Sequence, residues 1–411
     1  MNKMIAGLFA AALVTAPAFA DVGAPAPTAK DLEKVVEKVN YVETAKEGIK
    51  LSGYVDVGYT YNFQGNEVFG KSGGANGVDS TSRGDFNVNA VKLTLEKSLS
   101  DANEFQAGFR ADIKVGEDAT LLGGNTAADG SSDNFSLDQA YVIIRAPLGN
   151  GLDITAGKFA SLLGYEVDDR PANLNITYGY DYFFVTTHQT GVKFYYPVND
   201  IVELQLAVSN GSAVDTGSSD IGGFTDGYGV TGTINIKNSG GNANLFNGVY
   251  YSGSSPDGFT AENEGVLLWN TWGNWAPKFA NDKLLLGFSS TLGDVNDSSN
   301  IAGTEDGYTY WTASLYSKYQ VTDIFSVAGR ASYLHSIDGQ IDGTAGTSFG
   351  VSPVNGDAWS WTGTLGFDLL ENLLLRAEYR VDLYDGLGGD SAATFSGDTA
   401  QTVALQAVYT F

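Results

Sequence analysis

Apolar and polar side chains alternate with a period of two along most of this chain. Between Glu104 and Val115 one face carries Phe105, Ala107, Phe109, Ala111, Ile113 and Val115, and the other carries Glu104, Gln106, Gly108, Arg110, Asp112 and Lys114. Leu373 to Leu383 repeats the arrangement, with Leu373, Leu375, Ala377, Tyr379, Val381 and Leu383 opposite Leu374, Arg376, Glu378, Arg380 and Asp382. Successive side chains of a strand point to opposite faces, so this spacing predicts strands with one apolar and one charged face. Carried over the whole chain, it predicts sixteen strands, near 51–63, 85–97, 104–115, 136–146, 152–159, 186–196, 200–210, 227–237, 246–252, 265–275, 283–292, 308–319, 324–335, 359–369, 373–383 and 400–411. Fourteen and eighteen are the neighbouring solutions. In 85–97 the phase changes near Ala90, which predicts a bulge.

The connections alternate between short and long. Pro147-Leu148-Gly149-Asn150, Pro197-Val198-Asn199-Asp200, Gln320 to Asp323 and Leu370-Glu371-Asn372 carry turn chemistry, whereas Gly/Ser/Asp-rich segments fill 64–84, 116–135, 160–185, 211–226, 253–264, 293–307, 336–358 and 385–399. Short turns on one side and long loops on the other predict an all-β fold, a transmembrane antiparallel β-barrel of about 16 strands with periplasmic turns and external loops. Aromatic residues at strand ends suit the girdles at the membrane interfaces: Tyr59, Tyr61, Phe63, Tyr195, Tyr196, Trp269, Trp272, Trp275, Tyr308, Tyr310, Trp311, Tyr319, Trp359 and Trp361. Tyr310 falls on the inward phase, where a ring could instead stack on a passing sugar.

The two ends of the chain add independent signals. Lys3, an apolar run from Met4 to Val14, and Ala18-Phe19-Ala20 before Asp21 have the order of a secretory signal peptide, which sets residues 1–20 apart from the fold. Beyond Ala20 no run reaches the roughly 18 to 20 apolar residues of a membrane-spanning helix. Residues 21–48 read as a periplasmic linker, and within it Leu32, Val35, Val39 and Val42 mark a short N-terminal amphipathic helix ahead of the first strand. The barrel then occupies 49–411. Its last strand alternates through Val403, Leu405, Ala407 and Tyr409 to the terminal Phe411, an ending that resembles the signal read by the barrel-assembly machinery.

Composition narrows the chemistry. The chain has 52 Gly, 44 Tyr or Phe in equal parts, no Cys and a net charge of −25, which suits strands and loop tips and makes nucleic acid a poor partner. Without Cys, thiolate nucleophiles and thiolate metal sites are excluded. His188 and His335 are the two histidines, and they read as rim or loop residues; no nucleophile–base–acid set, phosphate loop or dinucleotide-binding motif stands out, so neither an enzyme nor a cofactor is expected. The loops at 116–135, 211–226, 253–264, 293–307, 336–358 and 385–399 hold 20 Asp or Glu and no Lys or Arg. That bias reads either as a cation-attracting external mouth or as solvation of the loops; Asp294-Val295-Asn296-Asp297 offers oxygen ligands for a divalent ion, without committing the chain to a metal.

Residues 138–211 resemble the β-barrel porins labelled OmpL-like. The resemblance rests on Asp138-Gln139-Ala140-Tyr141, Pro147-Leu148-Gly149, Gly157-Lys158-Phe159, Leu163-Gly164-Tyr165-Glu166, Asn173, His188-Gln189-Thr190-Gly191-Val192, Asn199-Asp200 and Asn210-Gly211. It implies outer-membrane channel architecture and says little about a solute.

These readings converge on a channel for passive diffusion of ions and small hydrophilic solutes in the outer membrane of a Gram-negative cell, surrounded by lipid and lipopolysaccharide. Homo-oligomer formation is left open. The alternative is a non-conducting structural barrel that displays loops outside and engages a periplasmic partner through its helix. By analogy with general bacterial porins, the third external loop, 160–185, is expected to fold into the lumen. It would bring Glu166, Asp168, Asp169 and Arg170 against the inward wall residues Arg110, Asp112, Lys114, Arg330, Arg376, Glu378, Arg380 and Asp382, with an acidic loop facing a basic wall across a throat. The aromatic run Tyr178 to Phe184 would be odd on a freely solvated tip.

Overall fold

The computed structural model describes residues 48–63, 84–121, 135–210, 227–254, 265–281, 283–296, 308–337, 357–385 and 399–411. The signal peptide, the linker helix and most of the acidic loops lie outside these residues.

Sixteen antiparallel strands close into one barrel in which each strand pairs with its sequence neighbours and the first pairs with the last. The first eight are β1 Lys50–Asn62, β2 Gly84–Lys97, β3 Gln106–Val115, β4 Phe135–Ala146, β5 Leu152–Ala160, β6 His188–Pro197, β7 Val202–Asn210 and β8 Gly227–Lys237. The second eight are β9 Ala243–Ser254, β10 Gly265–Trp275, β11 Leu284–Asn296, β12 Tyr308–Gln320, β13 Phe325–Ile337, β14 Asp357–Leu370, β15 Leu373–Asp385 and β16 Thr399–Thr410. Closure leaves no edge strand, which a sheet surrounded by hydrocarbon requires because lipid cannot satisfy free backbone groups. At the seam Gly53 and Phe411 exchange backbone hydrogen bonds of 2.9 and 3.0 Å, so the terminal aromatic residue belongs to the closing pair.

The period-two pattern sorts the side chains as the sequence predicts. Phe86, Leu315 and Trp361 on the outer face are 88, 65 and 56% exposed, as an outward apolar band toward lipid requires. Arg110, Asp112 and Lys114, and likewise Arg376, Glu378, Arg380 and Asp382, are buried on the inner face. Trp269, Trp275, Trp311, Trp359 and Trp361 face out. Trp272 does not belong to the girdle: it shares its phase with Leu268 and Asn270, is buried, and stacks on Phe246 with ring centroids 5.0 Å apart. Tyr310 is inward but fully buried, its ring 4.6 Å from that of Phe184, so its face is not open to a sugar.

Several boundaries move. β9, β11, β13, β14 and β15 run two or more residues beyond the predicted limits on their loop side, because ladder pairing continues there. Asp294 accordingly pairs with Thr309 and with Leu267, and Asp357 stands opposite Asp385. These acids, read as loop residues, end strands. A short helix, α1 Glu117–Leu121, follows β3 where a plain loop was expected.

Beside a register shift between Asp368 and Leu370 at the β14–β15 turn, two bulges interrupt the ladders near one another. Asp56 pairs with Ala90 and Val57 with Val88, leaving Asn89 as the extra residue, which is the bulge expected near Ala90. The other was not anticipated: Asp112 pairs with Gln139 and Ile113 with Leu137, leaving Asp138 extra in β4. A bulge sets two residues against one and locally redirects side chains, so Asp138 and Gln139 are both buried although they are consecutive.

Candidate functional site

The connection 161–187 between β5 and β6 folds into the barrel. Its neck is closed by the Ser161 amide donating to the Thr187 carbonyl at 2.8 Å and by a 2.8 Å contact between the Ser161 and Thr186 hydroxyls. Further in, the Gly164 amide donates to Asn270 Oδ1 on β10 at 3.0 Å, with Gly164 at φ +98°, a conformation glycine adopts without a Cβ clash. The loop contains one turn of helix, α2 Tyr180–Phe183. Its aromatic run packs on itself, with Tyr178 and Tyr182 stacked at 4.0 Å, and continues into a cluster with Phe246, Trp272 and Tyr310 of the wall. These rings are buried, which accounts for an aromatic run in a connection.

Three parts of the wall hold the loop, and each uses different chemistry. On the first, Asp169 accepts from Lys92 Nζ at 2.7 Å and from the Tyr54 hydroxyl at 3.0 Å, and Asp168 accepts from Lys114 at 2.8 Å. Lys92 also reaches Asp138 at 2.7 Å and Asp112 at 3.1 Å. Burial by itself would raise the Asp169 carboxyl, but Lys92 and Lys114 outweigh it and hold this group below the usual carboxylate range.

On the second part, Arg330 contacts Glu166 at 2.6 Å and donates to the Thr177 carbonyl. Glu378 accepts from the Ile176 amide at 2.5 Å, the Thr177 amide at 3.0 Å and the Thr177 hydroxyl at 2.5 Å. Arg376 donates to the Asn173 and Arg170 carbonyls at 2.7 and 3.0 Å, and Arg380 to the Tyr178 carbonyl at 2.6 Å while fastened to Asp382. This wall therefore grips mainly the loop backbone, whose bond pattern does not depend on the loop's side chains.

The third part carries no charge. Asp181 accepts from the hydroxyls of Thr291 at 2.6 Å, Thr312 at 2.5 Å and Ser289. Burial pushes its carboxyl above the usual range, and the three hydroxyl donors offset only part of that.

All twelve predicted residues are buried in the lumen, and all but Arg110 belong to contacts that hold the loop or its partners. Arg110 instead pairs with Asp112 at 2.9 Å and does not touch the loop. Arg170 turns to Asp118 on α1, with contacts of 3.0 and 2.7 Å, rather than to the strands. The acidic loop and basic wall are in direct contact instead of facing each other across a throat, because their side chains span the gap and pair.

Lys92, Asp118, Asp138, Asp181 and His188 were not among the candidates. Lys92 follows the β2 bulge and Asp138 is itself the extra residue of the β4 bulge, where a strict period of two loses phase, although Asp138 lies in the Asp-Gln-Ala-Tyr signal. His188 is not a rim residue: it opens β6 and is fully buried beside Asp138 and Asp168. Gly157, at φ +134°, brings β5 close to this place; a Cβ there would lie 2.2 Å from the Ala140 carbonyl oxygen. His335 pairs with Asp357 at 2.7 Å toward the rim and is part exposed.

The family model "Putative beta-barrel porin-2, OmpL-like" matches residues 48–411, the whole barrel. The chain belongs to this porin family. Comparison with curated proteins gives no match. Among solved structures, this porin is similar in fold to the outer membrane channel DcaP of Acinetobacter baumannii, with 12% identity, a TM-score of 0.60, and 90% of this chain and 100% of that one covered. An anion-selective porin from Comamonas acidovorans gives 12% identity, a TM-score of 0.56, and 88 and 99% coverage. The trimer form of the outer membrane protein OmpT of Vibrio cholerae gives 8% identity, a TM-score of 0.52, and 88 and 99% coverage. Family and fold together make this porin an outer-membrane barrel of the channel type.

Proposed function

We propose that this porin is a passive diffusion channel for ions and small hydrophilic solutes whose passage is narrowed by the 161–187 loop. The observation that carries this reading is the placement of the loop inside a closed barrel with an outer apolar band and a charged inner face. The twelve candidates Arg110, Asp112, Lys114, Glu166, Asp168, Asp169, Arg170, Arg330, Arg376, Glu378, Arg380 and Asp382 act together as the frame of the constriction: the pairs fix the loop, Arg110 indirectly through Asp112, and the fixed loop sets the bore. Selection is then by size and field, without a catalysed step or a cofactor.

Export after cleavage near Ala20, delivery to the assembly machinery through the strand ending at Phe411, and residence among lipid and lipopolysaccharide of a Gram-negative outer membrane complete the proposal. The trimer form of a similar barrel supports testing for a homo-oligomer. The second reading, a non-conducting structural barrel, is favoured by one observation: the loop is held on three sides by buried contacts. Purified protein in planar bilayers separates the two. Discrete conductance steps support the channel, and a silent bilayer with correctly folded protein supports the structural barrel. Neutralising Glu166, Asp168 and Asp169 together should shift the reversal potential toward anions.

A further inference from the structure

Three chain segments bring metal-ligand chemistry together at the point where the loop leaves the wall. Asp138 is the extra residue of the β4 bulge, Asp168 lies on the loop, and His188 is the first residue of β6. His188 Nε2 is 3.5 Å from Asp138 Oδ1 and 3.8 Å from Asp168 Oδ2, and one donor atom from each residue lies within 4.8 Å of the others. Bonds of about 2.1 Å in a four-coordinate site separate neighbouring ligand atoms by roughly 3.4 Å, close to the two histidine distances.

The imidazole supplies the second observation. It is fully buried, and among the described residues neither ring nitrogen has a hydrogen-bond partner. A buried polar group without a partner is costly, so a side chain aimed at two carboxylates in that condition points to a ligand for its nitrogen. We propose that Asp138, Asp168 and His188 bind one divalent transition-metal ion of the zinc and copper class, with a water or small anion in the remaining position. One imidazole with two carboxylates suits that class, whereas calcium and magnesium favour oxygen donors throughout.

Lys92 and Lys114 already contact these carboxylates, but neither depends on them alone. Lys92 is also 2.7 Å from Asp169 and 3.1 Å from Asp112, and Lys114 is 3.4 Å from Asp169. Both ammoniums therefore keep a carboxylate when Asp138 and Asp168 turn to the ion. Their charge opposes the ion, so its affinity is expected to fall below that of a structural zinc site.

The chain's two histidines make the test direct. Intact protein purified without a histidine tag is titrated with Cu²⁺ in detergent and followed by electron paramagnetic resonance. One equivalent should show superhyperfine coupling to one imidazole nitrogen, which persists in His335→Ala and vanishes in His188→Ala. Excess Zn²⁺ should displace it, and Asp138→Asn should weaken binding about tenfold or more. His188→Gln, which keeps polarity and near volume, replaces the alanine variant if that one does not fold. Copper held by oxygen donors alone, or a nitrogen signal that survives in His188→Ala and is lost in His335→Ala, overturns the proposal.

Discussion

Asp169 and Asp181 lie on the same inserted loop, both buried and both hydrogen-bonded, yet the barrel treats them in opposite ways. Asp169 meets two ammoniums on the β2–β3 side, and its charge is matched. Asp181 meets three hydroxyls from β11 and β12 and, among the described residues, no cation. Hydroxyl dipoles satisfy the oxygens of a carboxylate without neutralising it, so desolvation still favours the protonated form. The loop is thus pinned at one end by paired charge and seated at the other by neutral hydrogen bonds. A buried ion pair is costly to break from one side, because the remaining charge stays desolvated; a hydroxyl cradle tolerates a neutral substitute.

The largest effect should follow from Asp169→Asn, which leaves Lys92 facing Asp138 and Asp112 with one carboxylate fewer. A loss of about 3 to 5 kcal/mol is expected for removing one member of a buried pair, read as a lower unfolding midpoint in detergent. Replacing both members, Lys92→Met with Asp169→Asn, should recover part of that loss. If the double variant is no better than the single one, the pairing account is wrong.

Glu378→Gln comes next. Its carboxylate receives two loop amides and two hydroxyls, and a carboxamide can keep only part of that set, so about 1 to 3 kcal/mol is expected. The change should appear as faster amide exchange at Ile176 and Thr177. Unchanged exchange there would detach Glu378 from the loop.

The Asp181 end should respond to pH with its own sign. A carboxyl raised on folding makes the folded state bind more protons, so its ionisation costs stability as pH rises from the ordinary value of about 3.9 through the raised one, and acidification over that window restores it. Amide exchange across 180–184, corrected for intrinsic rates, should slow as pH falls over this range. Asp181→Asn should abolish the dependence. The same variant at neutral pH gives the smallest effect, within about 1 kcal/mol of the parent protein, because a neutral side chain can still accept from the hydroxyls. A loss as large as that of Asp169→Asn would erase the distinction between the two ends.

Sequence carried the barrel almost completely, since lipid outside and polar groups inside force every strand into period two, and a one-residue slip would expose the wrong face. It carried the inward charges for the same reason. It did not carry their partners. Lys92 follows a bulge and Asp138 forms one, where alternation breaks, and Asp118 sits on a helix of five residues too short to show a period. His188 and Asp181 gained their roles only when the loop turned inward, a step set by contacts distant in sequence. The aromatic run 178–184 did signal burial, but not that the acid within it would be cradled by Ser289, Thr291 and Thr312, more than a hundred residues away.

The central claim is that the 161–187 loop sets the bore, and the direct measurement is single-channel conductance of this porin before and after residues 165–184 are replaced by a tight Gly/Ser link. The account predicts a several-fold rise in conductance with weaker ion selectivity, in a barrel that still folds. Equal conductance and equal selectivity in the two proteins would contradict it and place the conducting constriction elsewhere.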